Sequence, residues 1–165
     1  MPILKKNIKL LATLFILFGL FFNFNQVNAA SGSSSSKDEA NLYKSGKKLV
    51  IRAKKLEKKD KVEKAQKLYL KALDKLEKAY DKDKKNADLL NYYGYALRKT
   101  GDFEKAEVYY LKGLELDAGH LGINEYLGEL YVQTGRINLA KERLSILKGC
   151  NCEEYEELKE IMEKN

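Results

Sequence analysis

The chain has 165 residues, of which 31 are lysine or arginine and 24 are aspartate or glutamate, so its formal net charge is +7. It contains one histidine, two cysteines and no tryptophan. This length suffices for one small domain, and so few histidines and cysteines exclude a metal site built from several cysteine pairs and catalysis by paired histidines.

Residues 1–29 have the pattern of a secretory signal peptide. Lys5, Lys6 and Lys9 form a basic start, residues 10–24 are a mainly apolar run, and the small residue Ala29 precedes the predicted cleavage point. The run is shorter than the ~20 residues of a membrane-spanning helix. The pattern therefore predicts export across the inner membrane to the periplasm. An uncleaved membrane anchor at residues 1–29 is the alternative.

Residues 30–37 are mostly serine and offer nothing to bury, which predicts a flexible linker. Helical periodicity begins near Asp38, and residues 38–86 carry two apolar stripes that predict a helix pair. Asp60 and Glu63 have the spacing of a capping box at the start of the second helix. The segment is longer than those that follow and lacks a glycine at its turn, so it is predicted to be a lengthened, atypical first pair.

This first segment is basic, whereas the rest of the chain is acidic. Residues 37–86 carry 18 basic and 9 acidic side chains, and residues 87–165 carry 10 basic and 15 acidic ones. The lysines are spread around helical turns, as in Lys54-Lys55 and Lys58-Lys59, which is typical of a solvated face. A surface that attracts anionic lipid head groups or an acidic partner is the alternative, and the predicted export argues against nucleic acid.

Residues 87–120 and the 34 residues after them share one pattern. In each segment, an apolar helical stripe ends at a glycine-containing turn and a second stripe follows. Small residues recur where two helix backbones must approach closely, and a turn glycine can take the left-handed conformation that ends a helix. At this offset the matched residues are Gly94 with Gly128, Gly101 with Gly135, and Ala106 with Ala140.

At these residues the chain resembles the tetratricopeptide repeat family, whose repeats are helix pairs of this period. The resemblance implies one repeat at residues 87–120, a second at 121–152, and a capping helix at 153–165 whose apolar side covers the last core face. The fold class predicted is all-α: a short right-handed α-solenoid of about three antiparallel helix pairs plus the C-terminal capping helix.

The resemblance also implies a concave groove lined by the first helix of each repeat. Two carboxylates in this groove suit a peptide with a basic residue, because a carboxylate pairs well with lysine or arginine. The family's lysine-and-asparagine clamp for acidic peptide tails is not matched, which disfavours a receptor for chaperone tails. Ordinary exposed polar residues are the alternative interpretation. The predicted groove residues are Asn91, Tyr95, Arg98, Glu125 and Glu129.

Cys150 and Cys152 follow the last repeat, and His120 ends the repeat before it. A Cys-x-Cys disulfide closes a small ring, and the two thiols with His120 could also supply three ligands for zinc or copper. With no second cysteine pair, a loop disulfide or inert thiols is the simpler interpretation. No metal or cofactor is predicted.

The sequence contains no catalytic motif: no Gly-x-Ser-x-Gly, phosphate-binding loop or dinucleotide fingerprint is present. It therefore predicts a non-catalytic scaffold or adaptor, exported to the periplasm, that binds a protein or peptide in the repeat groove. A thiol- or metal-dependent protein using Cys150, Cys152 and His120 is one alternative. A basic tether at a membrane surface is the other, and no nucleic-acid partner is predicted.

Overall fold

A computed structural model describes residues 32–165, with side chains from residue 37 onward. The predicted signal peptide at residues 1–29 lies outside the described residues, so export remains a prediction. Within residues 32–165 the chain forms helices and no strands. The seven helices are α1 (Gly32–Glu57), α2 (Val62–Lys82), α3 (Ala87–Lys99), α4 (Phe103–Leu116), α5 (Leu121–Gln133), α6 (Ile137–Leu147) and α7 (Glu153–Glu163).

The helices stack as successive pairs. Gly46 of α1 lies directly against Leu76 of α2, α3 packs on α4, α5 packs on α6, and α7 packs on both α5 and α6. Helices α3 and α5, the first helices of neighbouring pairs, also contact each other. This arrangement confirms the predicted all-α solenoid of about three helix pairs followed by a further helix.

Local sequence explains where these helices begin and turn. The Asn86 and Asp102 side chains accept hydrogen bonds from the backbone N–H groups of Leu89 and Lys105, capping α3 and α4. The turns within the two repeats place Gly101 at φ +92° and Gly135 at φ +73°, a region that only glycine enters at little cost.

Two predictions about the first pair are wrong. The flexible linker predicted for residues 30–37 is helical from Gly32 onward, because α1 extends several residues before its apolar stripe begins; once a helix is nucleated, each added residue gains a backbone hydrogen bond. Asp60 does not cap α2 either. It takes φ +55° in the α1–α2 turn, and Lys61 precedes α2 without a side-chain cap.

One continuous core runs through the stack and explains the small residues of the pattern. The Tyr110 ring is fully buried and lies against Gly94, where an added methyl carbon would be 2.7 Å from the ring. Leu158 of α7 is fully buried against Gly128, where an added methyl carbon would be 2.5 Å away. Helix α7 therefore completes the core of the last pair, and the α5 surface beside it becomes interior.

Candidate functional site

The structure brings the five predicted groove residues together but buries most of them. Asn91, Tyr95 and Arg98 on α3 and Glu125 on α5 are all buried, and Glu129 is half-buried. Three of them, Tyr95, Glu125 and Glu129, nevertheless line open space beside α7, so the part of these residues in binding a partner stays a prediction. The burial has a tertiary reason: Lys54 of α1 lies over the rings of Tyr95 and Tyr126, and α7 packs against α5.

Arg98 has its partners within the chain. Its guanidinium Nη2 lies 2.6 Å from a carboxylate oxygen of Glu129, its Nη1 donates to Gln133 at 3.0 Å, and its plane lies over the rings of Tyr95 and Tyr126. Its side chain is 2% exposed. A buried arginine held on both sides in this way stabilises the α3–α5 contact and is not available to a ligand.

Glu125 is a buried acidic group of this face and, like Asn91 (Oδ1) and Arg98 (Nε), it has an atom without a hydrogen-bond partner in the described part of the chain. It is 2% exposed, and its Oε1 atom has no hydrogen-bond partner in the described part of the chain. Burial, contact with Glu157 and the charge of Glu129 together raise the pKa of the Glu125 carboxyl well above its usual range. An orphaned buried carboxyl oxygen of this kind is where a proton or another cation would be held.

Lys54 of α1 reaches this face from the opposite side. Its ammonium donates a 2.8 Å hydrogen bond to the Tyr126 hydroxyl and lies over the rings of Tyr95 and Tyr126, 5.3 Å and 5.0 Å from their centroids. These contacts join α1 to α3 and α5 across more than 40 residues of sequence. The interpretation of Lys54 as part of a solvated face is therefore wrong, and the predicted length of the first pair is the feature that allows α1 to reach α5.

An open groove remains between α1 and α7, and it has two oppositely charged walls. We call it the α1–α7 groove. One part has a volume of about 300 Å³, and a second part, sharing Lys54, Lys58 and Glu157, has about 290 Å³. In the first part, the basic wall is formed by Lys54, Lys55 and Lys58, the acidic wall by Glu153, Glu154 and Glu157, and the floor by Glu125 and Tyr126.

Three carboxylates meet at the floor of this groove. Oxygen atoms of Glu125, Glu129 and Glu157 all lie within 4.8 Å of one another. Glu125 and Glu129 are four residues apart on α5 and so share a helix face, while Glu157 comes from α7. The pairing of Glu125 with Glu129 is visible in the sequence, but the approach of Glu157 depends on how α7 folds back.

Cys150, Cys152 and His120, the alternative metal ligands, have other partners in the structure. Cys150 and Cys152 are joined as a disulfide, and the described residues contain no free cysteine. His120 caps α5, its Nδ1 accepting the Ile123 N–H at 3.2 Å. In this arrangement neither sulfur is a thiolate and one ring nitrogen is already used, so the three residues do not present a metal site.

Within residues 32–165, no helix is both long and apolar enough to cross a bilayer.

The fold and this inner face define a class, an all-α protein built from stacked helix pairs. Residues 87–120 match the family model described as tetratricopeptide repeat. The chain thus contains a tetratricopeptide repeat at residues 87–120, as its residue pattern predicted. No curated protein matches the chain.

Solved structures show the same fold. The second tetratricopeptide domain of human RPAP3, solved in complex with an HSP70 peptide, is 22% identical over 74% of this chain and 97% of its own, with a TM-score of 0.50. The first such domain of human RPAP3 is 20% identical over 73% and 92%, with a TM-score of 0.49. The translocator chaperone SycD of Yersinia enterocolitica is 17% identical over 73% and 91%, with a TM-score of 0.49.

Proposed function

We propose that the chain is a non-catalytic interaction module that binds a protein or peptide partner in the α1–α7 groove. The observation that carries the proposal is the open space between the two charged walls, on the face formed by α3 and α5. A repeat domain of the same fold was solved in complex with an HSP70 peptide. We propose a ligand of the same kind, a peptide segment, for this chain.

The charges of the groove favour a partner with a basic residue directed toward α7. Glu153 is exposed, and Glu154 and Glu157 are half-buried, so a ligand entering the groove can reach all three. A lysine or arginine of the partner would form charge-assisted hydrogen bonds with this wall. An acidic tail would meet these carboxylates instead, which argues against a peptide of the chaperone-tail type.

The acidic wall gives a sharper test than the predicted groove residues. Replacing Glu125 and Glu129 with lysine would bury new charges beside Arg98, so a loss of binding could simply report misfolding. Glu154 lines the groove, whereas Glu156 is exposed and lines neither part of it, yet both lie in the first turn of α7. Glu154→Lys and Glu156→Lys therefore make the same charge change at the same helix end, with the same effect on the helix dipole.

The experiment selects peptides from a random library on the purified protein and measures their affinities by fluorescence anisotropy. We expect selected peptides to carry lysine or arginine, Glu154→Lys to weaken binding by about tenfold or more, and Glu156→Lys to leave it unchanged. Selection of acidic peptides, or equal behaviour of the two variants, would place the binding surface elsewhere and overturn the assignment.

We propose a periplasmic location on the residue pattern of positions 1–29 alone. Cell fractionation with mass spectrometry tests it. We expect a periplasmic protein lacking residues 1–29, whereas a full-length protein in the membrane fraction would identify residues 1–29 as an anchor.

A further inference from the structure

The carboxylates of Glu125, Glu129 and Glu157 form a compact set of oxygen atoms at the floor of the α1–α7 groove. Their mutual separations of at most 4.8 Å bring together side chains from two helices that are distant in sequence. Like charges at this spacing repel one another, so the cluster needs a bound proton or another cation to persist in a folded protein.

A second observation indicates that something is missing from this cluster. The Glu125 side chain is 98% buried and directed at the other two carboxylates, and its Oε1 atom has no hydrogen-bond donor among residues 37–165. Nearly all buried polar atoms in folded proteins have a partner. A cation between the three carboxylates would provide the Glu125 carboxyl with a partner. It would also offset the electrostatic repulsion between the carboxylates.

The charges already present define how much positive charge is needed. Arg98 neutralises one of the three carboxylates through its contact with Glu129. The Lys54 ammonium is directed to the Tyr126 hydroxyl and to two aromatic rings, and within the described residues it forms no ion pair. Once the cation has displaced the proton of Glu125, the carboxylates of Glu125 and Glu157 keep two negative charges that no ion pair within residues 37–165 neutralises, which is the charge that one divalent cation balances.

The donor atoms and their spacing select the kind of cation. Carboxylate oxygens are hard ligands, which suit magnesium, calcium and manganese rather than softer metals. Calcium accepts six to eight oxygen ligands in flexible geometry, whereas magnesium demands a nearly ideal octahedron and keeps several waters. Three carboxylates fixed on two packed helices, with oxygen atoms within 4.8 Å of one another, suit the more tolerant ion.

We propose that Glu125, Glu129 and Glu157 bind one divalent cation of calcium's size, with water from the α1–α7 groove completing its coordination. The ion would join α5 to α7 and so fix the acidic wall of the groove. This inference goes beyond the proposed peptide binding and does not depend on it, because the ligands and the orphaned oxygen belong to the protein alone.

Terbium(III), a luminescent substitute for calcium, tests the site directly, because Tyr126 on its floor can sensitise terbium emission. We expect purified protein without any peptide to give tyrosine-sensitised emission that saturates at one ion per chain and is displaced by Ca²⁺ at lower concentration than by Mg²⁺. Calcium should also raise the melting temperature, since a ligand of the folded state stabilises it.

Two matched variants separate a built site from general surface charge. Glu157→Gln removes one ligand charge at constant size, and Glu156→Gln removes the neighbouring exposed charge. We expect Glu157→Gln to weaken terbium and calcium binding by about tenfold or more and to abolish the thermal shift, with Glu156→Gln behaving as the parent. Circular dichroism establishes that Glu157→Gln is folded. Equal emission from both variants, or no displacement by calcium, would overturn the proposal.

The outcomes for the ion and the partner remain distinguishable. Ion binding is measured without peptide, and peptide binding is measured in the presence of EDTA. Calcium binding without any selected peptide would support the ion site and contradict the proposed function, and peptide binding in EDTA without a calcium site would do the reverse.

Discussion

The contact between Arg98 and Glu129 offers the clearest test of whether the predicted groove residues are structural. Glu129→Ala removes the carboxylate that lies 2.6 Å from the Arg98 guanidinium and leaves that guanidinium in a site where the side chain is 2% exposed. Removing one partner of a buried ion pair costs about 3–5 kcal/mol of the free energy of unfolding, whereas exposed pairs contribute roughly 0–1 kcal/mol. We expect Glu129→Ala to fall in the first range.

Urea unfolding followed by circular dichroism measures this loss, with EDTA present so that no bound ion contributes. A double-mutant cycle with Arg98→Met separates the pair from general packing. Once the arginine is gone, Glu129→Ala no longer leaves a buried charge unpaired, so its cost should fall by about 1–3 kcal/mol. The denaturant slope should stay constant, because the surface exposed on unfolding hardly changes.

A loss below about 1 kcal/mol for Glu129→Ala would refute the reasoning, since that is the behaviour of an exposed pair. Strict additivity of the two substitutions would refute it as well. Either result would mean that the side chains of Arg98 and Glu129 are available to a ligand.

Two further predictions use thermal or urea unfolding. We expect Gly94→Ala and Gly128→Ala each to cost about 1–3 kcal/mol, because their methyl groups would meet the buried ring of Tyr110 and the buried side chain of Leu158. Gly119→Ala, with nothing nearer than 3.6 Å, is the control within about 0.5 kcal/mol, and equal losses at all three sites would contradict the packing argument. The pKa of Glu125 is raised in the folded state, so the folded protein binds more protons than the unfolded protein above the usual glutamate range. The free energy of unfolding in EDTA should therefore fall as pH rises above that range, by at most about 1.4 kcal/mol per pH unit. Glu125→Gln should flatten this dependence, and a stability that rises over the same range in the parent would show that the carboxyl is ionised when folded.

Much of the fold could be predicted because it depends on local patterns. The 34-residue period, the turn glycines Gly101 and Gly135, and the caps Asn86 and Asp102 act through backbone conformation within a few residues of themselves. The two wrong predictions in the first helix pair, the linker and the Asp60 cap, also concern local sequence. A serine-rich segment is compatible with linker or helix, and Asp60 can cap a helix or take a left-handed turn conformation, so composition alone does not decide between them.

The candidate site depended on information that no local pattern contains. Helical spacing places Asn91, Tyr95 and Arg98 on one face of α3, and Glu125 and Glu129 on one face of α5, and the structure does bring these residues together. Whether that face is open to a ligand depends on what covers it. The spacing of residues within α3 and α5 does not predict which helices, more than 25 residues away in the sequence, pack over that face.

By itself, the sequence determined the helix pairs, their period and the small residues at which they approach, because hydrophobic periodicity and backbone preferences act over short distances. Only the tertiary structure decided the state of the charged groups. Helix α1, 26 residues long, carries Lys54 across to Tyr126, and α7 folds back to set Glu157 beside Glu125. Burial and neighbouring charge govern whether a carboxylate pairs, holds a proton or binds an ion, and both are properties of residues brought together from distant parts of the chain.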